Sequence, residues 1–92
     1  MNDDQFEWDE AKRLKTIAER DIDFLDAVAV FDNRPVLHIL TQHKTEKRFL
    51  STALIKGKLF TVIWTWRGEK RRIISFRRAR DGEERAYRKL YG

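Results

Sequence analysis

Cysteine is absent from this chain of 92 residues, which excludes a disulfide framework, a thiolate metal site and a cysteine nucleophile. Glycine occurs four times and proline once. Because Gly57 and Gly68 are isolated turn residues, nucleotide-binding folds built on a glycine-rich loop are excluded as well. No set of histidines or acids has the spacing of metal ligands, so we expect neither a metal nor a cofactor.

A long apolar run is also missing, and the first residues of the chain are acidic. On ordinary criteria these two features exclude a signal peptide and a membrane-spanning helix. We therefore expect a cytoplasmic protein. The length is that of one domain, which we place at residues 1–92.

The charges are divided unevenly along the chain, whose formal net charge is +5. Residues 1–33 carry ten acids against four bases, whereas residues 34–92 carry sixteen bases against five acids. The densest basic segment, residues 67–80, has seven cations and one acid. Like charges at this density repel one another unless an anion neutralises them, so the segment favours contact with phosphate. The alternative is a solvated or partner-covered edge strand, because lysine and arginine also protect sheet edges.

Two helix signals precede the basic part of the chain. Asp9 is a suitable N-cap for a helix whose apolar residues recur at helical spacing, at Ala11, Leu14, Ile17 and Ala18. A second start signal stands at Asp23, and a short apolar face follows it. The sequence therefore predicts two short N-terminal helices.

Four candidate strands follow the break at Pro35, at residues 36–40, 47–54, 59–67 and 70–78. The short turns between them predict an antiparallel meander. Asp81 and Glu84 have the spacing of a capping box, which predicts a basic C-terminal helix. We thus predict an α+β fold with two N-terminal helices, a four-stranded antiparallel sheet and a C-terminal helix.

The turn at Gly68 and Glu69 predicts how the last two strands pair. Thr65 should face Arg72, Trp64 should face Ile73, and Ile63 should face Ile74. This register predicts one core face, made of Phe60, Val62, Trp64 and Ile73. It predicts a second face for binding RNA or DNA, made of Thr61, Thr65, Arg67, Arg72 and Arg78. The orientation of Ser75 and Arg77 depends on whether a bulge intervenes.

Arginines at this density could serve phosphodiester cleavage at an RNA 2′-hydroxyl. That reaction needs the phosphate held in line, its developing charge stabilised, and protons moved off the nucleophile and onto the leaving oxygen. Arginines can supply the first two without a metal. The side chains available for proton transfer are Tyr87, His38, His43, Glu46 and Glu84, and spacing alone identifies none of them as the catalyst.

Several short motifs follow one another along nearly the whole chain: Phe6-Glu-Trp-Asp-Glu-Ala-Lys12, Ile22-Asp-Phe-Leu-Asp-Ala27, Val30-Phe-Asp32, Arg67-Gly68, Arg72-Ile-Ile-Ser-Phe-Arg-Arg-Ala79, and Glu84-Arg85 with Tyr87. In this order they resemble the BrnT toxin family. The resemblance implies a RelE-like fold and a ribonuclease that blocks translation. It also implies neutralisation by a BrnA-type antitoxin, in a hetero-oligomer.

The resemblance also points to individual residues, since six positions match its pattern: Lys12, Arg48, Arg67, Arg72, Arg77 and Tyr87. We predict that the catalytic residues are Arg72, Arg77, Tyr87 and Glu84. We predict that the RNA-binding residues are Lys12, Arg48, Arg67, Arg78 and Arg85. The alternative is a non-catalytic module that binds nucleic acid or an antitoxin through the same basic sheet.

Overall fold

A computed structural model describes residues 5–92. The elements in chain order are β1 (Phe6–Trp8), α1 (Glu10–Arg20), a 3-10 helix (Phe24–Phe31), β2 (Val36–His43), β3 (Glu46–Ile55), β4 (Lys58–Arg67), β5 (Lys70–Arg78) and α2 (Asp81–Tyr91). The strands form one sheet in the order β1-β5-β4-β3-β2. Among residues 5–92, no helix has the length and apolar character needed to cross a membrane.

The predicted four-stranded antiparallel sheet is wrong, because the sheet has five strands and is mixed. Strands β2 to β5 do form an antiparallel meander, but β1 adds to the outer side of β5 in parallel. Three residues are too few to show a strand period in the sequence. The strand is fixed by tertiary contacts, since Phe6 packs on Phe31 with ring centroids 5.6 Å apart and Trp8 packs against the core.

The prediction of a second N-terminal helix also needs correction, because that segment is a 3-10 helix and not an α-helix. Its buried residues are Phe24, Ala27 and Val30, which recur every three positions and so match the three residues per turn of a 3-10 helix. Helix α1 begins as predicted, with the Asp9 carboxylate accepting the backbone N–H of Lys12. Arg13 joins the two helices by donating to both carboxylate oxygens of Asp23, at 2.7 and 3.1 Å.

One face of the sheet, here called the core face, packs against the 3-10 helix. Its buried residues include Ala53, Val62, Trp64 and Ile73, as the alternation of the strands predicted for β4 and β5. The Trp64 indole N–H donates to the Ser51 hydroxyl at 2.8 Å, so its polar atom is satisfied inside the core.

A bulge at Ile74 changes the register of the last two strands. Thr65 faces Arg72 and Trp64 faces Ile73, as predicted, but Ile63 faces Ser75, so the predicted pair of Ile63 with Ile74 is wrong. An extra residue moves every later side chain of its strand to the opposite face. It makes Phe76 a core residue and places Ser75 and Arg77 on the other face.

The same bulge corrects the predicted position of Arg78. This arginine faces Phe60, with its guanidinium carbon 5.5 Å from the ring centroid, and so lies on the core face. The second face, here called the helix face, is partly covered by α2, which contacts β2 and β3. The capping box of α2 is formed by the N-cap Arg80 and Glu83, and not by Asp81 and Glu84 as predicted, because the Glu83 carboxylate accepts the backbone N–H of Arg80 at 2.8 Å.

Candidate functional site

A cleft of about 220 Å³ lies on the helix face, at the end of the sheet where β4 turns into β5. Four cationic side chains from four different elements line it: Lys12 of α1, Arg48 of β3, Arg67 of β4 and Arg72 of β5. Asp9, Ile73 and the bulge residue Ile74 complete its wall. Four positive charges around one small cleft create a local field that attracts an anion.

Strand alternation brings the three arginines of the cleft to one face. Arg67 lies two residues beyond Thr65 on β4, and Arg72 is the partner of Thr65 on β5. Thr65, Arg67 and Arg72 therefore share the helix face. Lys12 reaches the same cleft because β1 places the first turn of α1 beside β5. The strand that the sequence did not predict therefore positions one of the four cations.

Two carboxylates hold the cleft arginines in place. Glu46 accepts from Arg48 at 3.0 Å and from Arg67 at 3.2 Å, while Glu7 accepts from Arg72 at 3.5 Å. The hydrogen bond from Arg48, together with the charge of Arg67, holds the pKa of Glu46 below its ordinary value against the opposing effect of burial. The Arg67 side chain is 50% exposed, so an incoming phosphate can reach it.

Arg77 lies on the same face but is bound into an internal ion pair. Its guanidinium donates to both carboxylate oxygens of Glu83, at 2.8 and 2.9 Å, and both side chains are only 13% exposed. Thr61 also donates to Glu83, at 2.9 Å. The hydrogen bonds from Arg77 lower the pKa of Glu83 to about 2. Thr61 and Thr65, the partners of Arg77 and Arg72, are four residues apart on β4, which separates the two arginine backbones by about 13 Å.

The structure brings together four of the nine predicted site residues and places the other five outside the cleft lining. Tyr87 is buried on α2 beside Tyr91, with ring centroids 4.9 Å apart. Glu84 and Arg85 lie on α2, and Arg78 lies on the core face. The catalytic and RNA-binding roles of these residues and of Arg77 stay predictions.

The sequence did not predict that Glu46 and Glu7 pair with the arginines of the cleft. Glu46 was one of several candidate proton carriers, and its spacing from Arg48 gave a usable signal, since residues two apart on a strand share a face. Glu7 had no such signal, because it lies on β1. Within residues 5–92, no group of three or more histidine, aspartate or glutamate side chains could hold a metal ion.

Comparison with known proteins agrees with the resemblance seen in the sequence. A sequence model of the family described as "Ribonuclease toxin, BrnT, of type II toxin-antitoxin system" matches residues 8–83. No curated protein matches the chain. The matched segment makes up most of the chain and includes all four cations of the cleft. The chain therefore belongs to the BrnT family of ribonuclease toxins of type II toxin-antitoxin systems.

Proposed function

We propose that this ribonuclease toxin is a metal-independent endoribonuclease that inhibits translation by cutting RNA in the cytoplasm. The observation that supports this proposal is the cleft in which Lys12, Arg48, Arg67 and Arg72 converge. A bound phosphodiester carries its negative charge into a site that already holds several fixed positive charges. Those charges can do the work of stabilisation that a metal ion does in other nucleases.

Arg72 is the residue that we propose for stabilising the transition state. It lies between Arg67 and the bulge at Ile74, and its contact with Glu7 is long, at 3.5 Å. An arginine with weakly engaged donors can form two parallel hydrogen bonds to a phosphate without first losing a strong ion pair. Charge that develops on the phosphoryl oxygens would then meet donors that are already in position.

Glu46 is the acid that we propose for taking the proton from the RNA 2′-hydroxyl. Its two oxygens accept from Arg48 and Arg67, which keeps it ionised and keeps its basicity low in the free protein. A phosphate that draws these arginines away would raise the pKa of Glu46 and make it a better base. Tyr87 and Glu84 stay the other candidates for proton transfer.

A type II toxin has a protein antitoxin as its partner, and we propose that the partner here is a BrnA-type antitoxin that forms a hetero-oligomer with the toxin. The second candidate function is a non-catalytic module that binds RNA or the antitoxin. The positive cleft supports that candidate too, because charge alone produces binding that weakens steeply with salt. Only the enzyme generates new RNA ends.

The experiment that separates the two functions is digestion of RNA by the purified toxin in excess chelator, with and without ribosomes, followed by mapping of 5′ ends. We expect discrete internal cuts. We expect Glu46→Gln to lower the cleavage rate about 100-fold. Lys58→Met, which removes an exposed cation at the opposite end of β4, should cleave RNA at the unaltered rate. Intact RNA under every condition would remove the enzyme proposal.

A further inference from the structure

The outer edge of β2 is long and unprotected. Its eight residues, Val36–His43, include no lysine, arginine, aspartate or glutamate, and the last six are exposed. Natural sheets usually protect such an edge with charge, proline, a bulge or a very short strand. Within residues 5–92, no strand pairs with this edge, and the Tyr91 hydroxyl donates to the carbonyl of Val36 at its beginning. The backbone beyond Val36 is therefore able to accept another strand.

A cationic pocket lies beside this edge on the core face. Its lining includes Val36 and His38 of β2 and reaches Arg71 of β5. The Arg71 guanidinium carbon lies 4.5 Å from the ring centroid of Phe31 and 4.8 Å from that of Trp66. Within residues 5–92, its buried Nε has no hydrogen-bond partner. Among residues 5–92, no carboxylate forms an ion pair with Arg71, and a desolvated cation held by aromatic rings suits an incoming acidic side chain.

An apolar groove lies beside the same edge on the helix face. It is lined by Leu37 and Ile39 of β2 together with Ala86, Leu90 and the cationic Lys89 of α2. Ile39 is 42% exposed and Leu90 is 60% exposed, so both present apolar surface to solvent. The two recesses are therefore reached from alternate residues of one strand, the even-numbered residues on one face and the odd-numbered residues on the other.

We propose that an extended segment of the antitoxin adds to β2 as a sixth strand, placing a carboxylate beside Arg71 and an apolar side chain between Ile39 and Leu90. This inference rests on the proposed toxin-antitoxin pairing. Strand addition supplies affinity through main-chain hydrogen bonds, and the pockets for alternate side chains supply specificity. The recognised segment should therefore alternate acidic and apolar residues.

The chemistry of the edge disfavours two other occupants. A second copy of this chain that paired β2 with β2 would bring no carboxylate to Arg71, since β2 contains none. RNA would meet exposed apolar side chains on the helix face of the edge, including Ile39, and its phosphate backbone offers no aliphatic group to pack against them. An acidic and apolar peptide strand complements both recesses at once.

Hydrogen exchange of the complex between the full toxin and its antitoxin tests this inference. We expect the backbone amides of residues 37–41 to exchange more slowly in the complex than in the free toxin. A complex that forms without protection there would overturn the inference and leave the toxin-antitoxin pairing intact. No complex at all would overturn both. Protection of these amides by RNA, or by a second copy of the toxin in the absence of antitoxin, would also overturn it.

Two substitutions on opposite faces of the edge sharpen this test. Arg71→Met removes the cation and retains the aliphatic packing, and Ile39→Glu puts a charge into the apolar groove. We expect each to weaken antitoxin binding at least about tenfold. Lys58→Met is the charge-matched control and should bind like the unaltered protein. Because Ile39 is exposed, its variant should fold even if Arg71→Met does not, and unchanged binding by Ile39→Glu would contradict the proposal.

Discussion

Arg72 and Arg77 come from the same strand and lie on the same face of the sheet, yet their surroundings differ sharply. Arg72 lines an open cleft and has one long contact with Glu7, at 3.5 Å. Arg77 is bound to Glu83 through two short hydrogen bonds, and neither partner is more than 13% exposed. A basic segment of a sequence can therefore contain both an arginine that lines a site for an external anion and an arginine that forms an internal ion pair.

The position of α2 produces this difference. Its first turn brings Glu83 over β4 and β5, where the carboxylate accepts from Arg77, Thr61 and the backbone of Arg80. The hairpin end of the face, where Arg67 and Arg72 lie, borders the open cleft. We therefore expect substitutions at the two ends to affect different properties, catalysis at the hairpin end and stability beneath α2.

The largest expected effect is loss of RNA cleavage on substitution of Arg72. Arg72→Met removes a proposed donor to the developing phosphoryl charge and retains most of the side-chain volume. We expect kcat/KM for RNA cleavage to fall by about 10² to 10³, with little change in the urea midpoint of unfolding. Lys58→Met is the control for the loss of one positive charge. An equal loss of activity in both variants would mean that Arg72 acts only through net charge.

A large effect of the opposite kind is expected at Glu83. Glu83→Gln leaves Arg77 largely buried without a counter-ion, and we expect the free energy of unfolding to fall by about 3 kcal/mol. RNA cleavage per folded molecule should be unchanged, since Glu83 accepts from Arg77 and Thr61, whereas Glu46 accepts from the cleft residues Arg48 and Arg67. Urea unfolding and the activity of the folded fraction measure the two quantities. Full stability in this variant would show that the ion pair is not what holds α2 on the sheet.

The pH dependence of stability should come from the same carboxylate. The folded protein lowers the pKa of Glu83 to about 2 from a reference value of 4.5, so its contribution is complete above pH 4.5 and is lost as the pH falls towards 2. We expect a loss of at most about 3 kcal/mol across this range. Urea midpoints at pH 5, 4 and 3 measure it. The urea midpoint of Glu83→Gln should depend less on pH than that of the unaltered protein. The same dependence in both proteins would show that other groups cause the loss of stability at low pH.

The smallest expected effect is on the salt dependence of RNA binding. Replacing Lys12, Arg48 or Arg67 singly with alanine should reduce the slope of log K against log salt by about 0.7 each, as expected for one lost contact to a single-stranded phosphate. Binding titrations in a variant that cannot cleave measure this slope. Arg78 and Arg85 sharpen the comparison, because a reduced slope in their alanine variants would extend the RNA path beyond the cleft.

Local signals in the sequence predicted α1, the strands β2 to β5, α2 and one end of the β4–β5 pairing, but not β1 or the 3-10 character of the second helix. The isolated Gly68 has φ +62° and forms the turn, so the pairs nearest to it, including Thr65 with Arg72, followed from counting residues. The prediction was wrong beyond Ile74, because a bulge there depends on the packing of Phe76 into the core and not on a turn signal. Four residues of the cleft were named in advance, while Glu7, which accepts from the cleft residue Arg72, was not.

Other errors have the same physical origin. Strand β1 is stable only because β5 offers an open edge and Phe31 offers a packing partner, and neither is visible in its three residues. The capping-box acid of α2 is Glu83 rather than Glu84, since the helix begins one residue earlier than predicted, just after the end of β5. Spacing rules locate the ends of helices and strands to within one or two residues. A shift of one residue in the start of α2 changes which of its acids pairs with Arg77.

The amino-acid sequence alone established the antiparallel meander of β2 to β5, the helices α1 and α2 before and after it, and the clustering of arginines near one hairpin. These properties follow from composition, alternation and turn residues, which act over a few positions. Which arginines face an open cleft, and which are neutralised by an internal carboxylate, could be read from the folded structure alone. The outcome depends on the bulge, on β1 and on the docking of α2, each of which is stabilised by contacts between residues far apart in the chain.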